Sequence, residues 1–382
     1  MAAHLPTYLP APPAAPGALR TNRRIRARLA VGAGAVSVAA LVAAQSPASA
    51  APDFNQHRAF VQTNLVSDVP GWATLTDSNL VNPWGLSQGP TSPLWVSDNG
   101  TDVTTLYTDP PGGSPAIVPL VVKIPGGAPT GQAFNDTTGF GLSDNAAAFF
   151  IFASEAGKVT AWNPGLSPIT KAEKHASNPN AIYKGIALVH GTSGPFLLAA
   201  DFHSNRIRAF DSSFMPMPLP AGAFTDPTLP TGYAPFNVAV LGGRVFVSYT
   251  LQSADKVDDV GGPGHGFIDV YGVDGQMQQR FASRGALNSP WGMTVAPAGF
   301  GPFAGDVLVG NFGDGRIHAY NASTGHLDGT LRDGNGDPIV IDGLWGLLPG
   351  NGTTQRADAV WFTAGPGGEA HGLLGTLTSA VA

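Results

Sequence analysis

Beyond residue 50 the chain alternates short apolar runs with Gly- and Pro-rich turns, and no long stretch keeps a helical period. Runs this short, punctuated this often, predict strands rather than helices. One stretch sets the pattern. "NPWGLSQGPTSPLWVSDNG", residues 82–100, holds an apolar run (Trp84 to Leu86), a Gly/Pro break, a second apolar strand ("LWV") and a polar turn ("SDNG"). "SPWGMTVAPAGFGPFAGDVLVGNFGDG", residues 289–315, repeats that order.

Weaker copies lie between and after these two. The copies begin at Trp84 ("PWGLS"), Phe140 ("GFGLS"), Lys184 ("YKGIAL"), Phe236 ("PFNVAV"), Trp291 ("PWGMTV") and Trp345 ("LWGLLP"), separated by 56, 44, 52, 55 and 54 residues. Each leads to a second apolar strand, then a turn, then a third strand such as "RIRAFD" or "RIHAYN". A single four-stranded sheet cannot bury both faces, whereas sheets stacked around an axis do. The repeat therefore predicts an all-β protein, a six-bladed β-propeller with four-stranded blades. The "WG" strand is expected innermost, with Gly allowing backbones to crowd the axis and the aromatic packing between neighbouring blades. The last copy ends after its third strand. "AFVQTNLVS", residues 59–67, is free to serve as its outer strand, which would close the ring and hide a sheet edge. Two β-sandwiches, the competing architecture, would show no fixed period.

Residues 1–50 read as an address. Arg23, Arg24, Arg26 and Arg28 precede an apolar run from Leu29 to Ala44, and "ASA" (48–50) is a small-residue cleavage signal. This predicts a signal peptide over 1–50, a mature start at Ala51, a flexible arm over 51–58 and a single propeller domain over 59–382, in a protein secreted from a bacterial cell. Arg23-Arg24 leaves the choice between general and twin-arginine export open. The first 50 residues carry five of the 20 basic residues and no acid, so their removal takes the net charge from −6 to −11. Such an acidic balance argues against nucleic acid and anionic lipid as partners. No membrane span is expected in the mature chain. Cysteine is absent, so stability must come without disulfides.

The passages "AADFHSNRIRAFD" (199–211) and "VGNFGDGRIHAYN" (309–321) resemble NHL-type repeats, which build propellers. The longer strings "NLVSD", "LVNPWGLS", "PLWVSDNGT", "KVDDVGGPGHGFIDVY", "NSPWGM" and "FTAGPGGEAHGLLGTL" resemble an uncharacterised family of secreted bacterial propeller proteins, over most of residues 60–377. The resemblance implies the fold and the export. It implies no activity.

Strand direction then places the chemistry. In an antiparallel blade the loop leading into the first strand and the loop joining the second to the third lie at the same end. One face therefore collects Asn79, Asn82, Asn135, Asp136, Asn180, Asn237, Asn288 and Asp342 with Asp98, Asn99, Glu155, residues 201–205, 252–266, 311–314 and 365–371. Two of these loops are elaborated: "LQSADKVDDVGGPGHGF" (251–267), with Asp258, Asp259 and His265, and "AGPGGEAHG" (364–372), with Glu369 and His371. The candidate ligand-binding set is Asn82, Asp98, Asn99, Asp258, Asp259, His265, Glu369 and His371. The competing reading of each loop is a solvated Gly-rich hairpin tip.

His203, His265 and His371 fall in these loops and form a candidate metal set that would suit Zn²⁺ with Asp259 or Glu369, although no ligand spacing marks them. Oxygens of Asn82, Asp98, Asn135, Asn237 and Asn311 offer Ca²⁺ a place, against the commoner role of such residues in satisfying turn backbone. "DGNGD" (333–337) lacks the later Glu of a calcium loop and reads as a turn. No nucleophile elbow, zinc-protease helix or phosphate loop occurs. The sequence leads to a binding or scaffold module for an extracellular ligand at the loop-rich face. The alternative is a metal-dependent hydrolase or lyase of lactonase type, so whether the chain is an enzyme stays open at this point.

Overall fold

The computed structural model describes residues 59–380. The signal peptide and the arm expected over 1–58 lie outside them. Six four-stranded antiparallel sheets account for the described chain, the last extended by a short parallel strand, Leu75–Thr76. The inner strands are Pro83–Ser87, Pro129–Phe134, Tyr183–Gly191, Tyr233–Leu241, Pro290–Val295 and Leu344–Pro349, in blades one to six. Helix is confined, among the described residues, to two 3₁₀ turns, Asn99–Thr101 and Gly301–Phe303. None of their helices is long and apolar enough to cross a membrane.

Phe60–Ser67 pairs antiparallel with Leu373–Ser379, the third strand of blade six, so the chain's first described strand completes its last blade. The closure is packed as well as paired, with Phe60 against Phe300 and Phe303 at 4.8 and 5.7 Å between ring centroids. Both described ends leave on the face opposite the loops that lead into the inner strands, where Ala380 N–H donates to the Ala59 carbonyl (2.8 Å).

The second strand of each blade explains its continuous apolar run. In blade one, Leu94 and Val96 pack toward blade six while Trp95 packs toward blade two. In blade three, Leu197 and Ala199 face blade two, and Leu198 and Ala200 face blade four. Phe246 and Leu308 likewise point opposite to their strand neighbours. A strand that buries both faces must be apolar at every position. The core is thus a ring of layers between blades.

At the axis the inner strands meet edge on. A Cβ on Gly85 would lie 2.4 Å from the Thr130 carbonyl oxygen, on Gly131 2.6 Å from Ile186 N, on Gly292 2.5 Å from the Trp345 carbonyl and on Gly346 2.6 Å from the Trp84 carbonyl. Gly185 meets Asn237, and Asn237, standing where the other blades have glycine, donates from Nδ2 to the Trp291 carbonyl (2.8 Å). These contacts run around the whole ring.

Blade two corrects one expectation. Its inner strand is centred on Gly131, and "GFGLS" lies in the following turn, where Phe140 sits at φ 61° and Gly141 has open space around it. The string imitates the repeat, but the crowding that demands glycine falls on Gly131. Phe140 instead packs across to Phe214 of blade three (5.2 Å). Asn135 and Asp136 consequently belong to the opposite face, where Asp136 meets His190 at the far end of blade three (3.1 Å).

Gly131→Ala should lower stability by about 1–3 kcal/mol, the usual penalty for forcing a group into a filled space. Its neighbours are backbone atoms and cannot turn aside. Gly141→Ala is the matched control and should melt within about 0.5 kcal/mol of the parent. Denaturant titration of both variants checks the pair.

Candidate functional site

The residue before the axial glycine, or before Asn237 in blade four, is a large aromatic in four of the six blades. Trp84, Phe236, Trp291 and Trp345 come from blades one, four, five and six and form one buried cluster with Phe202. Trp84 stacks on Trp345 at 3.5 Å and meets Trp291 edge on at 6.0 Å, while Phe312 covers the other face of Trp345 at 4.0 Å. The aromatics do bridge blades, as expected, but they do so across the axis, as a plug. The Trp291 indole N–H donates to the Lys184 carbonyl on the far side (3.1 Å), and that of Trp345 to Asn82 Oδ1 (3.1 Å).

In blade three the same axial position is Lys184, and its side chain is 3% exposed. The ammonium lies over the Trp84 and Phe202 rings at 5.1 and 5.8 Å. It donates to Glu155 Oε1 (2.5 Å) and stands 3.5 Å from Asp258 Oδ1. Glu155 Oε2 accepts from Asn99 Nδ2 (3.0 Å). Asn82 Nδ2 donates to Glu369 Oε1 (3.1 Å) and faces Asn99 Oδ1 (3.4 Å). Above the plug, then, one ammonium and two amides are laced into a set of carboxylates from blades two, four and six.

The two elaborated loops deliver those carboxylates. Residues 252–266 fold back as a small hairpin, bridged Gln252 to Asp259 and anchored where Gln252 Nε2 donates to the Phe202 carbonyl (2.6 Å). This brings Asp258 over Lys184 and leaves it largely exposed. Asp259 lies beside them, its carboxyl raised by burial and drawn back down by Ser289 and Lys184. Glu369 is held at φ 67°, a left-handed conformation unusual for such a residue, which marks its loop as constrained. Burial raises its carboxyl first; the Asn82 hydrogen bond lowers it and Glu155 raises it further.

The remaining candidates lie elsewhere. Asp98 is fully buried, so it cannot face a ligand as expected: it accepts from Thr105 Oγ1 (2.8 Å) inside blade one. His203 Nδ1 lies against the Lys256 carbonyl (3.3 Å), His265 Nδ1 against Val260 (2.8 Å) and His371 Nδ1 against Asp68 Oδ2 (2.9 Å). Among the described residues no group of three or more His, Cys, Asp or Glu is placed to share a metal ion. The expected Zn²⁺ triad is therefore not assembled, because each ring is tied to its own loop or to the outer strand. The Ca²⁺ set is dispersed as well: Asn135, Asn237 and Asn311 donate to the Ala148, Trp291 and Ala286 carbonyls (each 2.8 Å). In "DGNGD" Asp333 accepts the N–H groups of Asn335 and Asp337 (2.9 and 3.0 Å), as a turn should.

Lys184 and Glu155 were missing from the sequence-derived set. The signal for Lys184 was present: a charged residue at the repeat position that four other blades fill with Trp or Phe. The other end of the axis holds a cavity of about 300 Å³ lined by inner-strand residues, among them Leu86, Ser87, Gln132, Val238, Met293 and Thr294, and none of its lining residues is charged. The ionisable chemistry is all at the plugged end.

No family model matches the chain. Proteins of Acanthamoeba polyphaga mimivirus do. The uncharacterized protein R648 is 31% identical over 326 residues, covering 82% of this chain and 78% of its own, and the uncharacterized protein L690 is 31% identical over 329, covering 82% and 84%. The chain belongs to their family. These relatives are viral, so they lend no support to the bacterial origin expected from the motifs. Among solved structures, the alpha-L-arabinanase of Penicillium chrysogenum superposes with a TM-score of 0.55 at 12% identity, over 84% of this chain and 98% of that one. Virginiamycin B lyase from Staphylococcus aureus gives 0.46 at 13%, over 84% and 99%. The arabinanase likeness shows a shared fold alone.

Burial pushes the Asp98 carboxyl well above the usual carboxylate range, with Thr105 opposing and Asp77 adding to it. Below the unfolded pKa both states hold the proton and nothing is lost. As pH rises from there toward the raised folded value, the unfolded chain ionises first and stability falls. Asp98→Asn lacks this loss. It should match the parent near pH 4 and melt about 2–4 °C higher at pH 8, as followed by circular dichroism across pH.

Proposed function

We propose that this propeller is an exported binding module whose acidic axial mouth receives a positively charged group. The carrying observation is the imbalance above the plug. Glu155, Asp258, Asp259 and Glu369 surround a single ammonium, Lys184, and Asp258 is 72% exposed in its side chain. With all four ionised, three negative charges remain uncompensated. Burial first raises the carboxyls of Glu369 and Asp259; like charge from Glu155 and Asp258 adds to this, and an entering cation relieves that added part. The indoles beneath are buried, so a ligand meets carboxylate and amide oxygens rather than aromatic faces. Amines and guanidinium groups answer that chemistry. The metal-dependent hydrolase or lyase has no comparable support, because among the described residues no group of three or more His, Cys, Asp or Glu is placed to share an ion.

Calorimetric titration with spermidine, against a neutral diol of similar length, tests the reading. Spermidine should bind and the diol should not. Affinity should fall as pH is lowered, since the raised carboxyls of Glu369 and Asp259 take up protons before ordinary ones do. Glu369→Gln should weaken binding about tenfold, or about 1.4 kcal/mol, and Lys184→Met, which removes the competing internal cation, should strengthen it. Equal uptake of diol and amine would sink the proposal.

Export is tested separately. Expression of the full chain in a bacterial host with a secretory pathway should yield extracellular protein whose N-terminal residue, by mass spectrometry, is Ala51. Retention in the cytoplasm with residues 1–50 intact would rule it out.

A further inference from the structure

All seven tryptophans lie within the described residues, and six are at most 5% exposed. The seventh, Trp72, is 46% exposed. It sits in the loop that follows the outer strand of blade six, on the same face as the axial mouth. Its backbone is fixed: Trp72 N–H donates to the Val69 carbonyl (3.3 Å), and Asn64 Nδ2 donates to the Trp72 carbonyl (3.3 Å).

The Trp72 ring does not stand alone. The His371 imidazole meets it edge on, with 5.3 Å between centroids and 68° between planes. That imidazole is held by Asp68, whose Oδ2 takes Nδ1 at 2.9 Å and whose Oδ1 accepts the Gly372 N–H at 2.8 Å. With both Asp68 oxygens engaged and only 14% of its side chain exposed, the carboxylate fixes the ring's orientation and places the proton on Nδ1. Nε2 is left with no hydrogen-bond partner among the described residues, on a side chain that is 41% exposed.

We infer that Trp72 and His371 form a carbohydrate subsite on the rim of the mouth. A sugar ring presents a C–H face that stacks on an indole and hydroxyls at its edge that hydrogen-bond a fixed, unpartnered ring nitrogen, and both elements stand here side by side. An apolar peptide side chain would need an apolar pocket. The residues flanking Trp72 in its loop instead include exposed Pro70, Gly71 and Thr74. The subsite does not depend on the cationic ligand proposed for the mouth, because His371 turns away from the axis while Glu369, two residues earlier, turns toward it.

Trp72 is its own reporter. It should contribute nearly all the fluorescence that acrylamide quenches efficiently, and Trp72→Phe should remove that fraction. The test titrates the full chain with soluble hexasaccharides of glucose, xylose and N-acetylglucosamine. At least one should shield the indole from acrylamide. Its Kd, read by titration calorimetry so that the variant lacking the reporter can be compared, should rise about tenfold or more in Trp72→Ala and by a smaller factor in His371→Ala, and stay unchanged in Glu369→Gln. Trp72 is exposed, so its replacement should leave the melting curve in place, which circular dichroism confirms. Quenching left unaltered by every saccharide at millimolar concentration, or undiminished binding by Trp72→Ala, would overturn the subsite. Loss of saccharide binding in Glu369→Gln would overturn its independence from the mouth.

Discussion

Everything in this propeller hangs on the contact of one inner strand with the next. Gly85, Gly131, Gly185, Gly292 and Gly346 each put bare backbone against the neighbouring blade, at separations a Cβ would close. Asn237 replaces the glycine in blade four and converts a contact into a hydrogen bond. The ring of edges sets the radius of the axis. That radius decides how far the preceding side chains reach, and hence that four large aromatics suffice to plug it.

The mouth is a consequence of the plug. A lysine among indoles would be stranded in an apolar channel, and burying an unpaired ammonium is expensive. Lys184 is tolerable because Glu155 and Asp258 come to it from blades two and four, and because two ring faces supply further attraction. The surplus of carboxylates is then what distinguishes this cluster from a balanced buried ion pair. A structural pair would balance its charge. This one ends with Asp258 in solvent and Glu369 held in a left-handed turn, both at the end of the axis that carries the long loops.

The architecture was open to reading from the repeat because strand period, Gly/Pro breaks and doubly buried second strands are all local consequences of sheet stacking. The reading slipped only where a string resembled the motif without its constraint, at "GFGLS". The candidate site residues were legible as a face, since antiparallel alternation alone assigns loops to ends. Within that face the outcome depended on direction. Asp98 and Asn99 are adjacent, yet one is sealed inside blade one and the other reaches Glu155. Glu369 and His371 share a loop and turn to different partners.

By itself, then, the sequence determined the blade count, the strand order, the closure by residues 59–67 and the two loops that carry polar chemistry. Each follows from periodicity or from length. Only the tertiary structure decided that Trp84 fills the axis, that Lys184 is the cation of the mouth, that the three histidines stay apart and that Trp72 alone of the tryptophans meets solvent. The physical reason is common to all four. Residues some 30 to 300 positions apart become neighbours when the ring closes, and which of their side chains meet is set by the rotation of each blade about the axis, a quantity that no local pattern encodes.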